Sequence, residues 1–211
     1  MGTEASAWGK GVTEPVKPRL VVGVSGASGA VYGVRVLQAA AELGLESHLI
    51  VSKAAALTLR EETGLAPADL VAMATVAHRL GDVGAAIASG SFPTLGMIIA
   101  PCSVRTLSEI ATGMTTSLLT RAADVTLKER RPLVLMVRES PFHLGHLRTM
   151  VRAAEMGAII APPLPAFYAR PQSLEEVVDQ SVGRALDLFG LAWGPVRRWG
   201  DDLAAIEGDE S

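Results

Sequence analysis

Short, continuously apolar runs recur along this chain of 211 residues, and a stretch with helical spacing separates each from the next. RLVVGVS from Arg19, ESHLIVS from Glu46, LGMIIAPCS from Leu95, RPLVLMVRE from Arg131 and GAIIAPP from Gly157 are the strand candidates. Between them, AVYGVRVLQAAAELG places Val31, Val34, Leu37 and Ala41 at helical intervals before Gly44, and KAAALTLREETG also reads as a helix. A strand that is apolar throughout must be covered on both faces, which a parallel sheet under two layers of helices provides.

The expected fold is therefore α/β, a three-layer, doubly wound parallel sheet of the Rossmann-like or flavodoxin-like kind. Length points to one domain. Its expected bounds are residues 19–199, between an aperiodic tail at 1–18 and a mobile acidic C-terminus at 200–211. A further helix is expected from near Ser173, with Glu176 completing a capping box.

A net charge of −3 without a long basic run disfavours nucleic acid as the main partner. Although 49% of residues are hydrophobic, no apolar run reaches the roughly 18 residues of a membrane span. Apolar surface buried between subunits accounts for the excess. Cys102 is the one cysteine, and the first residues lack a secretory apolar segment, so the cytoplasm is the expected location.

Ligands of such sheets collect at the carboxyl ends of strands. There the first strand runs into SGASG, with Gly23, Gly26 and Gly29 spaced three apart. A dinucleotide fingerprint needs G-x-G-x-x-G and an acidic residue about twenty positions on; here the second strand ends in Ser52. No Gly-Lys-Ser/Thr follows the loop either, which removes the nucleoside triphosphate reading. What remains is a turn at a helix N-terminus near Ser25 and Ser28, suited to one phosphate or anionic edge, or else a turn that only permits close packing.

Five segments decide between these. SGASG, ASGSFPTLGMIIAPCS, RAADVTLKERRPLVLMVRESP, PPLPAFYARP and the helix carrying Arg184 together resemble the flavin prenyltransferase (UbiX-like) family, from about Arg19 to Leu191. The resemblance implies an enzyme that joins the dimethylallyl group of dimethylallyl monophosphate to N5 and C6 of reduced FMN, without a metal. The prenylated FMN so made serves a separate decarboxylase, and the family's assembly implies a homododecamer with sites at subunit contacts.

Site residues follow from the matching motifs. For FMN the resemblance implies Gly26, Ala27, Ser28, Ser52, Ser103, Val104, Arg105, Thr106 and Arg138. For the prenyl phosphate it implies Arg121, Lys128, Arg138, Glu139, Tyr168, Arg184 and Trp199. Such cations suit an allylic phosphate, because charge grows on its oxygens as the bond to carbon breaks. Glu139 is the implied acid/base carboxylate, with a salt bridge to Lys128 or Arg138 as its plainer role. Ser28 and Glu62 form a second proton-handling pair, with Glu61 competing for the Glu62 position, and Lys128 joins the catalytic set.

One departure stands out: the family usually carries an Asp-Asn pair before LLTRAADV, where this chain has Thr116 and Ser117. A flavin-dependent cysteine decarboxylase is the nearest rival, but its S-A-N-T and P-A-M-N motifs are missing. A non-catalytic FMN carrier would need neither the phosphate cations nor Glu139. His143 and His146 are expected to be surface or capping residues rather than metal ligands, and Cys102 and Phe92 to be packing residues.

Overall fold

The computed structural model describes residues 17–200. Six parallel strands form one sheet in the order β3-β2-β1-β4-β5-β6, with β1 Arg19–Val24, β2 Glu46–Val51, β3 Val76–His78, β4 Gly96–Cys102, β5 Leu133–Val137 and β6 Ile159–Ile160. Helices α1 Ala30–Glu42, α2 Lys53–Thr63, α3 Pro67–Met73 and α7 Leu174–Asp187 cover one face. Helices α4 Val104–Ala111, α5 Leu118–Lys128 and α6 Leu144–Glu155 cover the other.

Strand residues divide by the two-residue period of the pleat. Leu20, Val22 and Val24 of β1 join the first core, while Val21 joins the second. In β4, Ile98 and Ala100 face one way and Met97, Ile99 and Cys102 the other. Every residue of β4 and β5 is buried, which is why these runs read as continuously apolar. Fully burying each Val, Leu or Ile contributes roughly 1.5–3 kcal/mol, so these strands are a large part of the core's stability.

Five of the six strands lie within the expected runs. The sixth, β3, was not expected, because Val76 and Ala77 on this edge strand are exposed and leave no apolar signature. Its position is set by parallel pairing with β2 and reinforced by side chains: Thr75 N–H donates to Ser47 Oγ at 3.0 Å, and Ser47 N–H donates to Thr75 Oγ1 at 3.2 Å. Helix α7 begins as expected, with Ser173 Oγ accepting from Glu176 N–H at 3.2 Å. The box does not close on Ser173, however; Glu176 reaches one residue further back and accepts from Gln172 N–H.

The expected tail and acidic C-terminus fall almost wholly outside the described residues. Pro18, assigned to the tail, already belongs to the sheet margin, since its carbonyl accepts from Glu46 N–H at 2.9 Å.

Candidate active site

Strand order reverses between β1 and β4, and a parallel sheet opens at such a switch point. A cleft of about 590 Å³ lies there, within the usual range for small-molecule sites. Gly26, Ala27 and Ser28 form one wall after β1, and α2 packs directly behind them. A Cβ on Gly26 would lie 2.2 Å from Ala54 Cβ, so this close approach requires glycine.

Ser25 does not face the cleft, contrary to the sequence reading. It is buried; its hydroxyl donates to Pro101 O at 3.0 Å and accepts from Ser103 N–H at 2.7 Å, joining the ends of β1 and β4.

The starts of α2 and α4 lie at the cleft. Ser52 caps α2 by accepting from Ala55 N–H at 3.1 Å, and Ser103 caps α4 by accepting from Thr106 N–H at 3.2 Å. The first N–H groups of each helix have no partner within it, and the helix dipole adds partial positive charge at that end. Ser52, Lys53, Ala54, Ser103, Val104, Arg105 and Thr106 all line the cleft, an arrangement that favours an anionic or acceptor-rich ligand.

Arg138 and Glu139 complete the wall after β5. Glu139 forms no salt bridge among the described residues; its carboxylate accepts from Ser140 N–H at 2.9 Å. Between Glu61 and Glu62 the geometry selects Glu62, whose Oε2 accepts from Gly29 N–H and Ala30 N–H at 2.8 Å each. Burial raises the Glu62 pKa, but the Ala30 N–H, the Ser28 hydroxyl, the Gly29 N–H and the Arg138 charge together hold it below the usual carboxylate range. Glu62 thus links the start of α1 to the Ser28 turn.

The remaining sequence-predicted side chains do not reach this cleft in their own chain. Lys128, at the end of α5, is ion-paired with Glu129 in a basic groove at the amino edge of the sheet, beside Arg130, Arg131 and Pro132. Arg121 pairs with Asp124 at 2.6 Å. Arg184 lines a separate pocket of about 320 Å³ and pairs with Asp187. Tyr168, in a 3-10 turn at Phe167–Ala169, meets the edge of Trp199 at 5.7 Å between ring centroids.

Conversely, Lys53, Ala54, Leu80, Glu109 and Leu119 line the cleft without having been singled out in the sequence. Lys53 directly follows Ser52, and Glu109 stands one helical turn beyond Arg105, so both were accessible from spacing. Thr116 and Ser117 also line the cleft, which puts the departure from the family pattern in its wall. Thr116 Oγ1 and Arg105 Nε both donate to the Glu109 carboxylate, each at 3.1 Å.

The packing expectations hold. Phe92 lies against His48 at 5.1 Å and under Arg19 at 4.4 Å. Cys102 is fully buried, which pushes its thiol pKa well up and removes nucleophilic character. His143 caps α6, accepting from His146 N–H at 3.3 Å.

Comparison with known proteins fits this geometry. Residues 11–186 match the Flavoprotein family model. Flavin prenyltransferase UbiX from Escherichia coli K12 is 59% identical over 174 residues, 82% of this chain and 92% of that protein. AnUbiX, solved in complex with FMN and dimethylallyl pyrophosphate, is 47% identical with a TM-score of 0.86, covering 87% of this chain and 98% of its own. A dodecameric FMN-dependent UbiX-like decarboxylase from Escherichia coli O157:H7 is 46% identical with a TM-score of 0.84, covering 86% and 98%. This chain belongs to the flavoprotein family and, within it, to the flavin prenyltransferases of the UbiX type.

Proposed function

We propose that this chain transfers the dimethylallyl group of dimethylallyl monophosphate to N5 and C6 of reduced FMN and supplies the prenylated flavin to a partner decarboxylase. The observation that carries this reading is the switch-point cleft, where the N-termini of α2 and α4 and the Arg138–Glu139 strand end converge. AnUbiX, of the same fold, was solved in complex with FMN and dimethylallyl pyrophosphate. An FMN carrier needs the helix N-termini but gives Glu139 no task, and the identity to prenyltransferases favours the enzyme.

In this reading Gly26–Ser28, Ser52 and Ser103–Thr106 hold FMN through backbone N–H groups and hydroxyls. When bound, reduced FMN supplies the nucleophile. Arg138 stabilises the phosphate that departs, and Glu139 exchanges a proton with it or with the flavin. Glu62 keeps Ser28 placed for a second proton transfer. Lys128, Arg121, Tyr168, Arg184 and Trp199 contribute to the prenyl-phosphate side by meeting the cleft of a neighbouring subunit.

A homododecamer is supported by the dodecameric relative and by Leu144, Leu147 and Val151, which expose one apolar stripe on α6. Among the described residues no helix is long and apolar enough to cross a membrane. We place the protein in the cytoplasm, a reading supported by its single unpaired cysteine.

Anaerobic incubation with reduced FMN and dimethylallyl monophosphate, followed by mass analysis of the flavin, tests the function. A mass gain of one prenyl unit is expected. Bound flavin with no mass gain leaves the carrier reading in its place.

A further inference from the structure

Outside the cleft, Gln180 lies in the middle of α7, buried at 4% exposure, with both ends of its amide hydrogen-bonded. Its Oε1 accepts from Arg197 N–H at 3.0 Å, and its Nε2 donates to Arg197 O at 2.9 Å and to Tyr168 Oη at 3.3 Å. Because a backbone N–H can only donate and a carbonyl only accept, the double bond to Arg197 fixes which end of the amide is nitrogen. Tyr168 therefore accepts from Gln180, and its own hydroxyl proton is left to donate elsewhere.

The segment after α7 is held along the same side of the helix. Asp187 accepts from both ends of the Arg198 guanidinium at 2.8 and 2.7 Å while also pairing with Arg184. Arg197 Nη1 donates to Ala169 O at 3.2 Å, next to Tyr168. Between Gln180 and Asp187, Gly183 makes room for the segment: a Cβ there would lie 1.9 Å from Val196 Cγ2. Trp199 then lies edge-on to the Tyr168 ring. Gln180 and Arg184 line one pocket.

We propose that Gln180 is a positioning residue for the prenyl phosphate: clamped by the backbone of Arg197, it donates to Tyr168 and so turns the tyrosine proton outward to the phosphate. The inference rests on the reading of Tyr168 as a phosphate ligand. It makes residues 193–199 part of the phosphate-binding apparatus, through Gln180, rather than a passive end of the domain.

Gln180→Glu provides the test, because the introduced carboxylate keeps the shape and can accept from Arg197 N–H but cannot donate to Tyr168. Initial rates of prenyl-flavin formation by the assembled enzyme are measured with reduced FMN saturating and dimethylallyl monophosphate varied. The expected result is a roughly ten- to hundred-fold fall in kcat/KM for the prenyl phosphate, the range of a hydrogen bond to a charged group, with FMN affinity unchanged. In a Tyr168→Phe background the same substitution should add nothing.

Gly183→Ala, which displaces Val196 and leaves Gln180 in place, should reproduce the fall even if Gln180→Glu folds poorly. Equal losses from Gln180→Glu with and without the tyrosine hydroxyl would overturn the proposal, as would unchanged kcat/KM in Gln180→Glu or Gly183→Ala. An unchanged kcat/KM in Tyr168→Phe alone would instead sink the underlying reading of Tyr168, and the proposal with it.

Discussion

The switch-point cleft and the outlying cation groups are built in opposite ways. In the cleft, ligand-facing groups come largely from backbone: N–H groups at the starts of α2 and α4 and the turn at Gly26–Ser28. Away from it, Lys128, Arg121 and Arg184 are long side chains at helix positions, each ion-paired with an acidic neighbour. Backbone donors are fixed by the fold and cost nothing to orient, so one chain presents this anion-binding wall by itself. Long cations are held by their acidic partners, and exposed pairs of this kind are worth little in stability, so they are readily exchanged.

Four experiments break or sharpen this contrast. The largest effect is expected from Glu139→Gln, which removes the carboxylate proposed to exchange protons at the cleft wall. Ring formation should slow by about 10²- to 10⁴-fold while FMN binding stays largely intact, measured by single-turnover mass analysis. Unchanged turnover would take Glu139 out of the proton-transfer role.

Next, Lys128→Ala and Glu139→Gln proteins, each weakly active, should regain turnover when dissociated and reassembled together. Some shared sites would then carry both native side chains. No recovery in mixed oligomers would mean that each chain completes its own site.

Gly26→Ala should cost about 1–3 kcal/mol, as overpacking against Ala54 does, and should weaken FMN binding by moving the Ser28 turn. Chemical denaturation and flavin titration read the two effects separately. A neutral result would show that α2 yields easily, against a preformed cradle.

The smallest effect is expected from Glu62→Gln, at about 1 kcal/mol, the scale of a lost helix cap. Since the folded-state pKa of Glu62 is depressed, its contribution is fully present above the unfolded value of about 4.3 and is lost as pH falls through the lower folded value. The Tm gap between the native protein and Glu62→Gln should therefore be constant near neutrality and close in strong acid.

Much of the fold could be read directly. The runs at Arg19, Glu46, Leu95 and Arg131 became β1, β2, β4 and β5 because a centrally placed parallel strand has no polar face. Edge strand β3 escaped because Val76 and Ala77 lie exposed and bury little. Within the cleft, Ser52 and Ser103 were named through the family motifs, and the structure adds that each caps a helix there. Leu80 and Leu119 were not, since each reaches the cleft only through packing of distant segments.

By itself the sequence determined the layered α/β class, the glycine turn, the helix starts and, through its motifs, the family. Those properties depend on spacing along the chain, which primary structure states outright. Only tertiary structure decided that Ser25 is a buried stitch, that Glu62 rather than Glu61 reaches α1, and that Lys128 lies at the opposite edge from Glu139. Tertiary structure alone also brought Gln180, Arg197 and Tyr168 together. Hydrogen bonds among residues 12 to 17 positions apart depend on how the chain returns on itself, and no local pattern records that return.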